Sequence, residues 1–546
     1  VRRPALLIGT GAVVLLLAVL LVVVLARGGQ DPGTSRPGPS TTPAPAPSVA
    51  PSSLTTVLAS GFDEGTEGWE PLGEGVATAV VGSPTRSGAG SLLVTGRSEA
   101  WHGAAVDVSA LLARGQVHTV SAWVRLGGDA TGAEVRLTLE RDPGSDEPRY
   151  LAVGQAAAQA DGWVEVAGTV EVPEGEGPWR LYVETTGSTA DLRLDDVTVQ
   201  RPAPPVQTDV PALRDVSAIP VGFAVGPQEL TGRPAELLLR HADRITPENA
   251  MKPAWIQPEE GVFDFGPLDE VLDVAVAHGL EVHGHTLVWH RSTPDWFFTG
   301  ADGRALTSDP ADRQLLLDRL RAHVQAVADH LAERYGDADP VTSWDIVNEP
   351  LDPAQPDGLR HSRWYEVLGP DYVAEAFRVA RDVLGPDATL YLNDYDTDAP
   401  DRRRALVRLL VDLQDQGAPV DAVGHQTHAS LRTDPDRVAA TWDAVAALGL
   451  RQAVTELDVA VVGRGEDLAS VPADRLEEQA DQVQALVATV AARDPEFIGV
   501  WGLDDPRSWL RGSDEGSPVE EPLLFDGDLQ AKPAFWGFVR GLGTSG

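Results

Sequence analysis

Thr342-Ser343-Trp344-Asp345-Ile346-Val347-Asn348-Glu349 is an apolar run that ends abruptly in two polar side chains. A strand buried on both faces reads as such a continuous run, and a polar pair at its C-terminal end must look out of the sheet. The same habit recurs through the second part of the chain. Strand-like runs fall at 221–225, 244–246, 281–288, 342–347, 389–393, 422–426, 452–456 and 497–502. Helix-period segments lie between them at 268–278, 311–334, 372–383, 402–414, 437–448 and 473–491. Eight βα units over about 330 residues predict an α/β fold, a (β/α)8 TIM barrel over 216–542 with an outer ring of helices. An open doubly wound sheet is the alternative, but no glycine-rich phosphate loop follows an early strand.

The polar residues fall where a barrel needs them. Glu248, Asn249 and Lys252 follow the second run; His285, Trp289 and His290 end the third; Asn348 and Glu349 end the fourth; Asn393, Asp394 and Tyr395 end the fifth. Gln426 and His428 end the sixth, Glu456 and Asp458 the seventh, Trp501 and Asp505 the eighth. Side chains at strand C-termini converge on one mouth. Two carboxyls facing each other there, about 5–5.5 Å apart, are the minimal machinery for a retaining cut of a glycosidic bond, one ionised to attack and one protonated to release the leaving oxygen. Their surroundings must push the two pKa values apart. His428, near Asp458 in such a barrel, is placed to hydrogen-bond Glu456 and hold it ionised. Asn348 suits a sugar 2-hydroxyl, and Trp501 and Trp509 can form a stacking wall for sugar rings. The histidines show no HExxH spacing, which disfavours metal-assisted hydrolysis.

Composition narrows the partners. Net charge is -39, with 82 acidic against 43 basic residues, and such a surface repels phosphate backbones and anionic lipid, so no nucleic-acid partner is expected. Cysteine is absent, which excludes disulfides, thiolate metal sites and cysteine nucleophiles. Lys252 and Lys532 are the only lysines. No protein partner is predicted.

Arg2 and Arg3 precede an uncharged run over 4–26 that would span about 33 Å as a helix. Residues 1–27 read as an uncleaved signal anchor, with a cleaved signal peptide the alternative, so the rest is expected outside the membrane, either anchored at the cell surface or secreted. The Pro/Ser/Thr-rich stretch 28–56 reads as an extended tether. Over 57–201, period-2 runs between Gly, Pro and Asp turns predict an antiparallel β-sandwich. Trp123 and Trp163 lie inside its alternating strands and read as core, whereas Trp101, Tyr150, Trp179 and Tyr182 are candidate faces for sugar rings. A second Pro-rich linker, 202–215, leads into the barrel.

Phe62, Gly68-Trp69, Thr95-Gly96-Arg97, Trp101-His102-Gly103, residues 120–124 and Leu194-Asp195-Asp196-Val197 together resemble the jelly-roll carbohydrate-binding modules often attached to xylanases, of family 22 or a family 4/9-like kind. The resemblance implies xylan or β-glucan binding through Trp101, Tyr182 and Glu184, and a structural calcium. Residues 248–252, 285–290 and 344–349, Gln426-Thr427-His428, residues 455–458 and Trp501-Gly502-Leu503 with Ser508-Trp509 closely resemble the family 10 endo-β-1,4-xylanases. That resemblance implies Glu349 as general acid/base and Glu456 as nucleophile, supported by His428 and Asp458, with no cofactor or metal in catalysis. It implies a subsite lining of Glu248, Asn249, Lys252, His285, Trp289, Asn348, Gln426, His428, Trp501 and Trp509. Ser292 stands where the family usually has glutamine, and Pro350 where a small residue is commoner. The implied substrate is xylan or a related plant β-glycan; mixed-linkage glucan or cellulose is the enzymatic alternative, and an inactive cell-surface carbohydrate-binding protein the non-enzymatic one.

Overall fold

The computed structural model describes residues 54–543 apart from 129, 146, 176, 467, 469 and 513–515. The segment read as a signal anchor, 1–27, and nearly all of the first tether lie outside the described residues. Among the described residues no helix is long and apolar enough to cross a membrane.

Eight parallel strands close on themselves: β1 (Val221–Val225), β2 (Arg244–Pro247), β3 (Glu281–Val288), β4 (Val341–Asn348), β5 (Thr389–Asp394), β6 (Ala422–His425), β7 (Arg451–Ala460) and β8 (Ile498–Val500). Consecutive strands pair, β8 pairs with β1, and β6 pairs directly with β7, so the sheet has no open edge. The predicted TIM barrel is therefore present, and the open doubly wound sheet is not. Four of the longer helices start with proline as the first helical residue: Pro310–Arg334, Pro400–Asp415, Pro435–Ala446 and Pro533–Gly541. Proline is harmless there because that N–H has no partner within the helix. Helix Gly266–His278 stops at Gly279, whose φ of 67° is left-handed and whose N–H returns to the last turn.

The barrel's lower end is filled by ring packing around a buried cation. Arg244 lies 4.1 Å over the Phe497 ring, and His283 and Tyr391 pack against the same phenyl group. Gly424 of β6 matters for the upper end. A Cβ there would lie 2.5 Å from Asn393 Oδ1 and 2.9 Å from Thr455 Cγ2, so only glycine leaves room for the Asn393 amide.

Residues 54–202 form the expected antiparallel sandwich, beginning at Leu54 rather than at 57. One sheet runs Ala77–Val81, Ser91–Thr95, Leu192–Pro202, Val117–Leu126, Val164–Glu171, with Leu54–Ser60 added on Leu192–Pro202; the other runs Glu70–Leu72, Gly103–Asp107, Trp179–Thr186, Ala133–Arg141, Arg149–Ala158. Phe62, Trp69 and Trp179 fill the space between them. Trp123 and Trp163 are only half-buried. Trp123 falls on the outward phase of its strand, where the Arg86 guanidinium covers it at 4.1 Å. The calcium implied for this domain finds its acidic residues already engaged. Asp195 is buried and accepts the N–H groups of Arg86 and Asp196, while Asp196 pairs with Arg86 Nη1 at 2.7 Å and accepts the Ser87 hydroxyl. Among the described residues of the sandwich, no three acidic or histidine ligand atoms gather.

The second linker is not a free spacer. Val210 and Leu213 are buried in the barrel core, Ala531 N–H donates to Gln207 Oε1 at 3.0 Å, and Gln530 Nε2 donates to the Pro205 carbonyl at 3.2 Å. Arg201, at the end of the last sandwich strand, pairs with Asp528 of the barrel. The boundary expected at 216 thus falls after the first core residues. Replacing Arg201 and Gln207 together by alanine is expected to speed cleavage between 202 and 209 by a non-specific protease several-fold, with the barrel's melting temperature nearly unchanged. Equal cleavage rates would show that these contacts do not hold the segment down.

Candidate active site

The upper mouth of the barrel holds a cleft of about 410 Å³. Its lining includes Glu248, Lys252, His285, Trp289, Asn348, Glu349, Gln426, His428, Glu456, Asp458, Trp501 and Trp509, so all but one of the expected catalytic, supporting and subsite residues are brought together, while Asn393, Asp394 and Asp505, also expected at the mouth, do not line it. Asn249 is the exception. It stands behind the wall and accepts Lys252 Nζ at 3.0 Å. Lys252 is buried beside the Trp289 ring, and that burial lowers its pKa against the pull of Glu248, Glu456 and Glu349. The other lysine, Lys532, is buried elsewhere against Asp505 at 2.8 Å.

Glu456 is gripped on both oxygens. Asn393 Nδ2 donates to Oε1 at 2.7 Å, and the Thr455 hydroxyl donates to Asn393 Oδ1 at 2.8 Å, which fixes the amide with its NH2 toward the carboxylate. His428 Nε2 contacts Oε2 at 3.2 Å, while its Nδ1 meets Asp458 Oδ2 at 2.9 Å. Trp509 Nε1 donates to that same Asp458 oxygen at 2.9 Å. Burial would lower the pKa of His428, but the two carboxylates outweigh it and hold the imidazolium well above its usual range.

Beneath lies a second buried carboxylate, Asp345. His285 Nδ1 reaches its Oδ2 at 2.8 Å, His283 Nε2 lies 3.0 Å from its Oδ1, and Asn393 Nδ2 lies 3.2 Å from Oδ2. Burial would raise its pKa, yet the two histidines bring it down to about 2. His285, Asp345 and Glu456 are the one group of potential metal-ligating atoms among the described residues, and hydrogen bonds through His285 and Asn393 already knit them together.

Glu349 is held differently. Its φ is +55°, a left-handed conformation uncommon for a residue with a side chain. Its N–H donates to the Asn393 carbonyl at 2.8 Å, and Arg360 Nε donates to its own carbonyl at 2.9 Å. The Arg360 guanidinium also donates to the Tyr395 hydroxyl at 2.9 Å. The Leu351 N–H, just beyond Pro350, is fixed by Asp394, which pairs with Arg402 at 2.7 Å. Gln426 Nε2 bridges Asn348 Oδ1 at 3.1 Å and Glu349 Oε1 at 3.4 Å, and Asn393 reaches the same Asn348 oxygen at 3.1 Å. Three amides thus connect the two glutamates. His290 lies 3.7 Å from Glu349 Oε2, too far for a hydrogen bond, and burial followed by the charges of Arg360 and Arg291 pushes its pKa down to about 3.

Residues 212–540 match the glycosyl hydrolase family 10 model, well over half of the chain. The chain belongs to glycosyl hydrolase family 10. Residues 55–191 match a carbohydrate binding domain model. Of its relatives, endo-1,4-beta-xylanase A of Thermoanaerobacterium saccharolyticum is 35% identical over 494 residues, covering 88% of this chain and 41% of that protein. Exoglucanase XynX of Acetivibrio thermocellus is 33% identical over 498 residues, covering 87% and 44%. The chain therefore spans less than half the length of these curated relatives. The crystal structure of xylanase B from Clostridium stercorarium F9 is 37% identical, with a TM-score of 0.57, covering 60% of this chain and 99% of that one.

The carbohydrate binding domain carries a second groove, of about 340 Å³, on its smaller sheet. The three expected residues, Trp101, Tyr182 and Glu184, all line it, together with Tyr150, Arg136, Glu140 and Arg180. Trp101 is 49% exposed and Tyr150 57% exposed, whereas Tyr182 is largely buried and forms floor. The Trp101 loop is tied from below by buried Arg97, whose guanidinium donates to the carbonyls of Ala100 and His102 and to the Thr185 hydroxyl.

The family 10 cleft makes a clear prediction for His428. Its folded pKa lies above the unfolded value of about 6.5, so the stability it contributes is complete below that pH and is lost as pH rises through the folded pKa. In a ¹⁵N NMR titration the imidazole is expected to lose its proton at a higher pH than in the unfolded chain, and Asp458→Asn to move its titration downward. A ring that titrates no higher than in the unfolded chain would contradict the arrangement.

Proposed function

We propose that this chain is a retaining endo-β-1,4-xylanase that cuts internal bonds of xylan, with Glu456 as nucleophile and Glu349 as general acid/base. The observation that carries the reading is the asymmetric pair: Glu456 buried between an amide and an imidazolium, Glu349 at the rim and reached only through longer contacts. Contacts to both oxygens of Glu456 fix the direction in which its carboxylate faces the cleft. Attack on the anomeric carbon forms a glycosyl ester as Glu349 gives its proton to the leaving oxygen. Glu349, now a carboxylate, then takes a proton from the water that displaces the ester. Asn348, turned toward the cleft because its oxygen already accepts from two amides, supplies a donor for the 2-hydroxyl. Trp289, Trp501 and Trp509 offer faces for the neighbouring rings.

The groove of the binding domain is read as a second xylan site, with Trp101 and Tyr150 as platforms and Glu184 as acceptor. An extracellular place, anchored or secreted, follows from the apolar run over 4–26 behind Arg2 and Arg3. A β-glucan substrate is the second reading. Ser292 has a shorter side chain than the glutamine usual in the family, which would weaken a polar contact to the glycone sugar, and one relative carries the name exoglucanase.

Reducing-end release from xylan and from mixed-linkage β-glucan tests the assignment. Glu456→Ala is expected to abolish release. Glu349→Ala should lower it about 10²- to 10⁴-fold on xylan but far less on aryl xylosides, whose leaving groups need no proton. Preference for β-glucan would favour the second reading, and no release from either polymer would sink both. For the groove, Trp101→Ala is expected to weaken retardation of the chain in xylan-containing gels about two- to tenfold while leaving cleavage of short soluble oligosaccharides unchanged. Unaltered retardation would remove Trp101 from the binding surface.

A further inference from the structure

Three lysine or arginine side chains line the catalytic cleft, and two of them are engaged. Lys252 is held by Asn249 and Trp289, and Arg360 by the Glu349 carbonyl and the Tyr395 hydroxyl. The third, Arg291, is exposed, and its guanidinium has no hydrogen-bond or ion-pair partner among the described residues. The lack of a partner is informative in a chain with 82 acidic residues, where Glu248, Glu349, Glu456 and Asp458 line the same cleft.

The backbone beneath Arg291 is fixed. Ser292 has a φ of +49°, in the left-handed region, and its carbonyl accepts the Ala254 N–H at 2.9 Å. The Thr293 hydroxyl donates to the Trp289 carbonyl at 2.7 Å, and Trp364 Nε1 donates to the same carbonyl at 3.0 Å. A non-glycine residue kept left-handed by its surroundings marks a turn that those surroundings over-determine. This turn sets an exposed, unpaired guanidinium on a hydrogen-bonded base at the wall of the cleft. A neutral xylose unit has nothing to match that charge. A carboxylate does, since the planar fork can take both of its oxygens. The protein's large negative charge would repel an acidic polysaccharide at a distance, so its recognition needs a local cation inside the cleft.

We propose that Arg291 binds the carboxylate of a uronic-acid branch on the polysaccharide in the cleft, so that the preferred substrate class is xylan bearing acidic side groups. The inference rests on the xylanase reading above and deepens it. It is tested with the full chain on glucuronoxylan and on the same polymer after its carboxyl groups have been reduced to primary alcohols, which changes charge while keeping backbone and branching. Arg291→Ala is expected to lower kcat/KM on the acidic polymer about three- to tenfold, Arg291→Lys to retain part of the difference, and both to match wild type on the reduced polymer. Equal losses on the two polymers would make Arg291 a general sugar contact or a structural residue, and no loss on either would remove it from recognition; each result overturns the proposal. Wild-type inactivity on the acidic, reduced and neutral polymers alike would strike the xylanase reading itself, and the proposal with it.

Discussion

The site depends on one charge that water does not reach. Asp345 is fully buried in the barrel, and an ionised carboxylate there costs several kcal/mol unless the protein replaces its hydration. His283 and His285 supply that replacement from the neighbouring strand β3, and Asn393 adds a donor from β5 on the other side. Because these partners are bound to Asp345, they are also oriented by it. The His285 ring is set 5.2 Å from Trp501, and the Asn393 amide is aimed at Glu456. The orientation of the upper cleft is therefore inherited from a layer below it.

The two glutamates occupy environments built by different means. Glu456 sits within the long strand β7, enclosed by side chains whose own orientations are fixed by Thr455, Asp458 and Trp509. Glu349 sits one residue past β4 and owes its position to the backbone: a left-handed turn with its N–H on Asn393 and its carbonyl on Arg360. Short side-chain contacts hold the carboxylate of the first, whereas backbone clamping directs the second, whose carboxyl is reached only by longer amide contacts of 3.4 and 3.5 Å. That division suits one group that must stay ionised and one that must exchange a proton.

Much of this was legible from residue order. Runs such as 342–347 placed the strands, and the polar residue after each run placed the mouth, because a closed parallel barrel leaves strand C-termini no other direction. Three helices begin one or two residues before their periodic segments, at Pro310, Pro400 and Pro435, because proline adds no apolar period yet serves as a first helical residue. The roles of Asp345 and Asn393 were not legible. Both lie inside or at the end of strands, and their partners are on other strands, a pairing that register determines and periodicity does not. Trp123 misled for a related reason: alternation gives two phases, and composition alone did not tell which phase faced inward. Arg136, Glu140 and Arg180 in the binding groove carried no sequence signal beyond ordinary surface charge, because only the sheet brings them beside Trp101.

The pinned segment after the sandwich changes how the two grooves can act together. A flexible tether would let each groove find its own polymer strand, and the gain from holding both would follow the tether's effective concentration. Here Arg201 on Asp528 and Gln207 on Ala531 remove most of that freedom. The chain behaves less like two hands on a rope than like a caliper. A ligand that reaches both grooves gains from the second contact only where it presents two stretches at the spacing the fold dictates, so geometry as well as chemistry selects what can be held twice.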